Sequence, residues 1–479
     1  MIKKDRRPKK HLQAKHGNNR QPSARPAQPS GTSAARRDIT VTIDGFAYGG
    51  DGIARFENST VYIPYALPGS TITARITEEK NKVIQARMVS VVKPSPFYTK
   101  PECPYFGECG GCDFMNMPYE TQANFKIDII QAIMEETAAI KSPPMKPLIR
   151  YEVPLHYRNR AEYRPAVIGS KISLGFYRAR SHEVIGIKEC LLLHPKINLL
   201  AKIITDSINE NPHSASIYSP SKHKGYLRHV TIRINSRGDA LITFVVNGKE
   251  PKQFILRAAQ ALQAQPGIAG ILINFNMEET NDVFGSREKI LYGRPSIIET
   301  AAGISFKLNN SAFFQVNAVM MEKMAEFVGK KIPDRASVLD LYGGVGALTL
   351  PSHKKFRDIT VIEADRNAAQ NLREIIKWNK ISHVNIITSK VEDTIDRVLE
   401  DKSFDAAVID PPRSGMHPRV ISAIKAAKIG TLIYISCNPS SFARDIADLK
   451  SHYHLDEMTP LDQFAQTYHT EIMARLSII

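Results

Sequence analysis

A chain of 479 residues with 43% hydrophobic and 23% charged side chains can build about three cores, and it is too apolar to be disordered or fibrous. No apolar run approaches the roughly 20 residues of a membrane-spanning helix, the N-terminus MIKKDRRPKK lacks the apolar stretch of a secretory signal, and five cysteines are too few for a secreted disulfide framework; a cytoplasmic protein without membrane partners is expected. The formal charge of +16 points to a polyanionic partner, nucleic acid first.

Residues 1–37 carry eleven Lys and Arg against the single Asp5, amid Pro, Ser, Gln and Gly. With almost no large apolar side chains such a segment cannot repay its ordering entropy, so a disordered basic tail is expected, acting either as a non-specific RNA tether or as a solubiliser. Residues 38–100 read as short alternating strands (ITVTIDGFA, GIARFENSTVYIPYA, TITARIT, VIQARMVSVV) broken by YGGDG, LPGS and EEKNK, the pattern of a small β-barrel. That barrel is an RNA-binding module or a packing appendage, with Gly49, Gly50 and Gly52 as its turn residues. Residues 101–300 combine a cysteine-rich loop, a helix near 119–138 and strand runs such as KISLGFYR, HVTIRIN, ALITFVV and GILINFN, hence an α+β domain. There Arg158, Arg160, Arg164, Arg178, Arg180 and Arg228 alternate with Tyr157, Tyr163, Tyr177 and Tyr226, either as phosphate contacts and stacking surfaces or as ordinary solvated strand faces. Residues 301–479 alternate apolar strand runs (SVLDLYGGVG, DITVIEAD, VNIITSKV, FDAAVIDPP, TLIYISCNP) with helical segments at 344–354, 366–380, 417–427 and 440–449. The fold class is therefore α/β, a doubly wound sheet whose ligands sit outside the carboxyl ends of the strands.

The chemistry-bearing residues stand at those ends. In VLDLYGGVGALTL a strand runs into Gly343, Gly344 and Gly346, where the chain can turn sharply and a ligand can approach the backbone. Glu363 follows 20 residues after Gly343, at the end of the second strand, where a carboxylate can accept both ribose hydroxyls; its bland alternative is a surface Glu beside a tight turn. Asp410 opens DPPRSG after the fourth strand and either faces the substrate or caps the next helix. Cys437 ends the fifth strand in ISCNP, as a buried small hydrophobe or as a nucleophile. Uracil C5 is too poor a nucleophile to take a methyl from a sulfonium, and a thiolate added at C6 overcomes this by creating carbanion character at C5. A base must then remove the C5 proton, and Glu471 in YHTEIMARL is the candidate, against a plain surface carboxylate.

Together these pieces resemble the RNA uracil-C5 methyltransferases, specifically the 23S ribosomal RNA (uracil-5-)-methyltransferase type. The resemblance rests on the N-terminal barrel, similar to a TRAM domain, C-x5-C-G-G-C at 103–112, NNSAFFQVN at 309–317, the Gly-rich turn, DPPRSG, SCNP and HTE, and it spans nearly the whole chain outside the tail. It implies a class I (Rossmann-like) methyltransferase domain over 301–479. It further implies S-adenosylmethionine bound by Gln315, Tyr342, Glu363 and Asp410, Cys437 as nucleophile, Glu471 as proton acceptor, RNA as partner and a monomeric enzyme. Many members carry Val where this chain has Thr470.

Cys103, Cys109, Cys112 and the remote Cys190 supply four thiolates, which suit a structural zinc or a [4Fe–4S] cluster. Three close ligands with one distant favour iron–sulfur, and the resemblance implies the same, in a structural role. Three rival readings remain: the same chemistry on transfer RNA, a non-catalytic RNA-binding ribosome-assembly protein, and an exocyclic-amine methyltransferase, which would use the DPPR loop and need no cysteine.

Overall fold

The computed structural model describes residues 37–479, so the expected basic tail lies, Arg37 apart, outside the described residues. Strands Asp38–Thr42, Gly45–Phe46, Gly52–Phe56, Ser59–Ile63, Thr71–Lys80 and Val83–Lys93 (β1 to β6) form one sheet in the order β1-β5-β6-β4-β3-β2. Their alternating Ile39, Val41, Val61, Ile63, Ile72 and Ile84 close over a small core of their own.

Helix α1 (Tyr119–Ala138) follows. Next come β7 (Arg160–Ile168), β8 (Lys171–Tyr177), β9 (Val184–Gly186), α2 (Pro195–Asn209), β10 (Leu227–Ile234), β11 (Ala240–Val246), α3 (Gln253–Gln263), β12 (Ile268–Phe275) and β13 (Arg287–Gly293). The strands form a sheet ordered β13-β12-β11-β10-β7-β8-β9, mostly antiparallel, with α2 and α3 buried against it. A hairpin of β14 (Ile297–Ala301) and β15 (Ile304–Leu308) leads to α4 (Ala318–Lys331).

The last region contains β16 (Ser337–Leu341), β17 (Asp358–Glu363), α5 (Arg366–Trp378), β18 (Val384–Thr388), α6 (Val391–Asp401), β19 (Ala406–Ile409), α7 (Pro418–Ala427), β20 (Thr431–Ser436), α8 (Pro439–Leu449), β21 (Tyr453–Leu461) and β22 (Glu471–Ile478). Its sheet runs β18-β17-β16-β19-β20-β22-β21, parallel except for β22, which pairs antiparallel with both β20 and β21. β16, β19 and β20 are buried throughout because helices cover both faces. Strand order reverses between β16 and β19, which makes their carboxyl ends the natural ligand crevice.

Two sequence expectations change. The helix expected over 344–354 is a turn followed by a short 3-10 helix, Leu350–Lys355. A helix begun at Gly344 would have to take in Gly346, at a left-handed φ of +77°, and would carry Pro351, which has no N–H to give, in its interior, so the regular helix does not form. The helix expected within the central region, α1, buries Ile130, Met134 and Ala138 against the final sheet rather than the central one, since its apolar stripe matches the gap beside α8.

Candidate active site

β19, β20 and β22 are neighbours in the final sheet, and each presents one expected residue at the same edge. Ser436 pairs with Ile472, so the next residues outward in this antiparallel register, Cys437 and Glu471, face each other across the strand ends. Asp410 follows β19 on the other side of β20. Cys437 directly precedes Asn438, whose side chain caps α8 by accepting from Ser440 N–H, with Pro439 in the first helical turn. Burial first, then the negative charges of Glu471 and Asp410, push the Cys437 thiol up to about 11, with Arg413 opposing. Burial likewise raises Glu471 to about 8, helped by Asp410 and again opposed by Arg413. Asp410 rises to about 7 through burial.

The loops that carry these groups are tied together. Asn438 Nδ2 donates to the Arg413 carbonyl at 2.8 Å, Arg444 Nη2 to the Ser414 carbonyl at 2.8 Å, and Met416 N–H to the buried Asp445 at 2.7 Å. Gly415, at φ +80°, lies so close to Arg444 and Asp445 that a side chain there would collide with them. Asp410 is not the cap of α7, because His417 fills that position by accepting from Arg419 N–H.

On the other side of the crevice, Gln315, Asp340, Tyr342, Gly344 and Asp410 line one hollow. Tyr342 sits at φ +62°, an uncommon conformation for a side-chain-bearing residue, held there by the turn that follows β16. Glu363 accepts from Gly344 N–H at 2.8 Å and Asp365 N–H at 2.6 Å, so its carboxylate stands over the glycine turn. Asp340 is fully buried, accepts from Thr349 Oγ1 at 2.5 Å, and rises to about 7, by burial first and then by the charges of Asp410 and Glu363. Gln463 donates to Gln315 Oε1 at 3.0 Å, which links this hollow to the loop before Glu471.

Residues 119–477 match the tRNA (Uracil-5-)-methyltransferase family, and residues 34–89 match the TRAM domain. The chain belongs to the RNA uracil-5-methyltransferase family. It is an S-adenosylmethionine-dependent RNA (uracil-5-)-methyltransferase with an N-terminal TRAM barrel. It is 32% identical to an RNA methyltransferase of Gloeobacter violaceus over 94% of this chain and 99% of that one. A relative in Thermosynechococcus vestitus is 30% identical, covering 92% and 98%. Its fold is shared with Pyrococcus abyssi tRNA (uracil-54, C5)-methyltransferase, solved with S-adenosyl-L-homocysteine, at a TM-score of 0.73, 22% identity, and coverage of 91% of this chain and 100% of that one.

In this methyltransferase the segment 462–470 that delivers Glu471 is held from α1. Lys126 is wholly buried and donates to Asp462 at 2.6 Å, to the Phe464 carbonyl at 3.3 Å and to the His469 carbonyl at 3.0 Å. Gln122, one turn earlier, donates to Gln466 at 2.9 Å. Sequence reasoning missed both. Their signal is positional, since Gln122, Lys126, Ile130 and Met134 repeat every four residues on the buried stripe of α1. Thr470 is buried and its hydroxyl lies 3.5 Å from the Tyr468 carbonyl, so a β-branched side chain packs there with its oxygen partnered.

The four clustered cysteines line one cavity of about 670 Å³ together with apolar Phe106, Met115 and Phe176, and none forms a disulfide. Burial and mutual repulsion raise Cys109 to about 11 and Cys112 well above the ordinary thiol range. Among the described residues, no group of three or more His, Cys, Asp or Glu converges tightly enough for a single metal ion. Four of the ten residues in the arginine and tyrosine run are interior, while Tyr177 and Arg178 stay partly exposed and Arg180 is exposed. Tyr157, Tyr163, Tyr226 and Arg228 are buried: Tyr157 donates to the Ala465 carbonyl, Tyr163 stacks on Phe176, and Arg228 donates to the Asn276 and Glu278 carbonyls. Tyr163, Tyr226 and Arg228 hold the central sheet and Tyr157 ties to the segment before Glu471, so these four face neither RNA nor solvent. No helix among the described residues is long and apolar enough to cross a membrane.

Proposed function

We propose that this methyltransferase attacks C6 of a uridine in 23S ribosomal RNA with Cys437, methylates C5, and uses Glu471 to remove the C5 proton. The observation that carries this reading is the apposition of Cys437 and Glu471 across β20 and β22, with Asp410 at the end of β19. The Cys437 thiolate forms a bond to C6 and the uracil C5=C6 electrons move onto the O4 enolate. Gln315, Tyr342, Glu363 and Asp410 would hold S-adenosylmethionine, which when bound would supply the methyl that C5 attacks and leave as the neutral thioether S-adenosylhomocysteine. Glu471, as carboxylate, then takes the C5 proton, and the re-formed double bond expels the thiolate. A carboxyl near 8 suits that duty, since a base poised close to working pH can both accept and return a proton. The α8 N-terminus beside Cys437 favours its thiolate and offsets part of the burial cost.

Cys437→Ala is expected to bind RNA but form no adduct and transfer no methyl. Glu471→Gln is expected to methylate and then accumulate a denaturation-resistant protein–RNA adduct, as wild type does with 5-fluorouridine at the target. Release of methylated RNA by the Glu471 variant at the wild-type rate would assign the base elsewhere.

The four half-buried thiols line one cavity and suit a cationic centre, and Cys103, Cys109, Cys112 and Cys190 would hold a [4Fe–4S] cluster whose irons take one thiolate each, a set that need not converge on one point. Protein purified without oxygen should be brown and lose colour and iron on Cys109→Ser. A colourless protein with one equivalent of zinc would overturn the assignment.

Transfer RNA is the second reading, favoured by the fold shared with the Pyrococcus abyssi enzyme over that enzyme's whole length. Mapping 5-methyluridine in ribosomal and transfer RNA from cells lacking the gene decides between them.

A further inference from the structure

The turn between β2 and β3 of the barrel, YGGDG, does not stand free. Gly50, at φ +86°, lies against Asp113 and Tyr468 so closely that an added Cβ would sit 3.1 Å from one and 3.4 Å from the other. Asp51 binds Arg180 through both carboxylate oxygens at 2.5 Å, and Phe46 packs on Phe114 and Phe125 with ring centroids 4.9 and 5.0 Å away. These contacts lock the barrel against the loop before α1, α1 itself and Arg180, and through Gly50 and Tyr468 against the segment that ends in Glu471.

This placement puts Tyr48, at the start of that turn, edge-on against Tyr468 at 5.5 Å, and the Tyr468 ring lies tilted by 36° against the neighbouring His469 at 4.1 Å. His469 is two residues from Glu471, and its ring nitrogen lies 3.5 Å from Arg413, whose carbonyl is bonded by Asn438, the neighbour of Cys437. A continuous rim of three aromatic rings and one exposed guanidinium thus borders the catalytic pair. All three rings remain partly accessible. Burial and Arg413 lower His469 to about 4, so its ring is neutral near pH 7 and adds a flat face, not a charge. Next to Tyr468 a hollow of about 560 Å³ is lined by Gly49, Tyr65, Arg87, Arg178 and Arg180 together with Asp51 and Asp113; Arg180 pairs with Asp51 and Arg178 with Glu108 and Glu183, which leaves Arg87 to face a phosphate.

We propose that Tyr48, with Tyr468 and His469, forms a stacking wall for the base adjacent to the target uridine, so that the TRAM barrel contributes directly to the active-site mouth. A uridine turned out of its stack leaves its neighbour without a partner, and an aromatic face of any base-tolerant kind supplies one. The flanking phosphates then run toward Arg413 on one side and Arg87 on the other. The Tyr48 hydroxyl titrates above its ordinary range, through burial first and then the charges of Tyr468, Cys437 and Glu471, which agrees with a ring that shares the catalytic crevice. The proposal rests on the reading of Cys437 and Glu471 given above.

The test uses the full chain and the RNA segment around the mapped uridine, with 5-fluorouridine at the target and 2-aminopurine at each neighbour in turn. In wild type one neighbour should be quenched on binding. Tyr48→Ala should lose that quenching and raise half-saturating RNA by about 5- to 100-fold, the range of one lost base stack, with the loss in half-saturation exceeding that in the rate at saturation. Tyr48→Phe should restore both. Tyr48→Leu fills the same space without a π-face, so it gives the same readout should the alanine variant unfold. Unchanged quenching and half-saturation in the folded Ala or Leu variant, or a Phe variant as impaired as Ala, would overturn the wall. Absence of any covalent adduct in wild type would instead overturn the Cys437 reading, while quenching and binding would still report on the wall.

Discussion

Cys437 stands under opposed influences. Burial and two carboxylates hold its proton on, while Arg413 and the N-terminus of α8 favour its loss. Because Glu471 titrates near 8 and Cys437 near 11, the carboxyl is already ionised where the thiol titrates, so removing it lowers the thiol's pKa. Alkylation of the Cys437 peptide by iodoacetamide, followed by mass spectrometry across pH, should show a midpoint above the ordinary thiol value near 8.5. Glu471→Gln should move that midpoint down and Arg413→Ala should move it up. A midpoint unmoved by Glu471→Gln would mean that the two side chains do not share a field. The sequence named both residues from their strand ends. It did not show that they are cross-strand neighbours, because register is a property of two strands and each run alone looks the same in any pairing.

At the scale of elements, α1 is the clearest case of tertiary override. The sequence shows only a helix near 119–138, whereas in the fold its buried stripe carries Gln122 and Lys126 among apolar residues as a clamp on 462–470. A buried ion pair is weak evidence of net stability, yet breaking one side strands the other charge in a medium that cannot solvate it. Lys126→Met should therefore destabilise the protein by about 3–5 kcal/mol in denaturant unfolding and lower turnover. Lys126→Met combined with Asp462→Asn should recover much of the stability. Recovery of stability without turnover would show that the clamp acts by placing Glu471. If the single variant loses under 1 kcal/mol, the pair is not the clamp described. The helix expected after the glycine turn failed for a local reason, since Gly346 is left-handed and Pro351 would fall in the helix interior.

For the whole molecule, charge is the property that sequence states most directly. Residues 1–37 hold eleven of the basic side chains and one acid, so their contribution to RNA binding should be electrostatic and salt-dependent. Deleting them should flatten the plot of log affinity against log salt while leaving the rate at saturating RNA nearly unchanged. An identical slope would make the segment a solubiliser only. The barrel, by contrast, is bonded into the molecule through Asp51, Gly50 and Phe46, so its removal would disturb the catalytic segment as well as RNA affinity.

The sequence by itself determined the alternating strand and helix pattern, the glycine turn with Glu363, and the placing of Asp410, Cys437 and Glu471 at strand ends, because each is a local arrangement that one stretch of chain can encode. Only the tertiary structure decided that Cys437 meets Glu471, that α1 leaves the central region to clamp 462–470, that Tyr157, Tyr163 and Tyr226 are interior, and that Tyr48 reaches the catalytic rim. Those are contacts between segments separated by up to hundreds of residues. Their energies arise from burial and register that do not exist until the layers have packed.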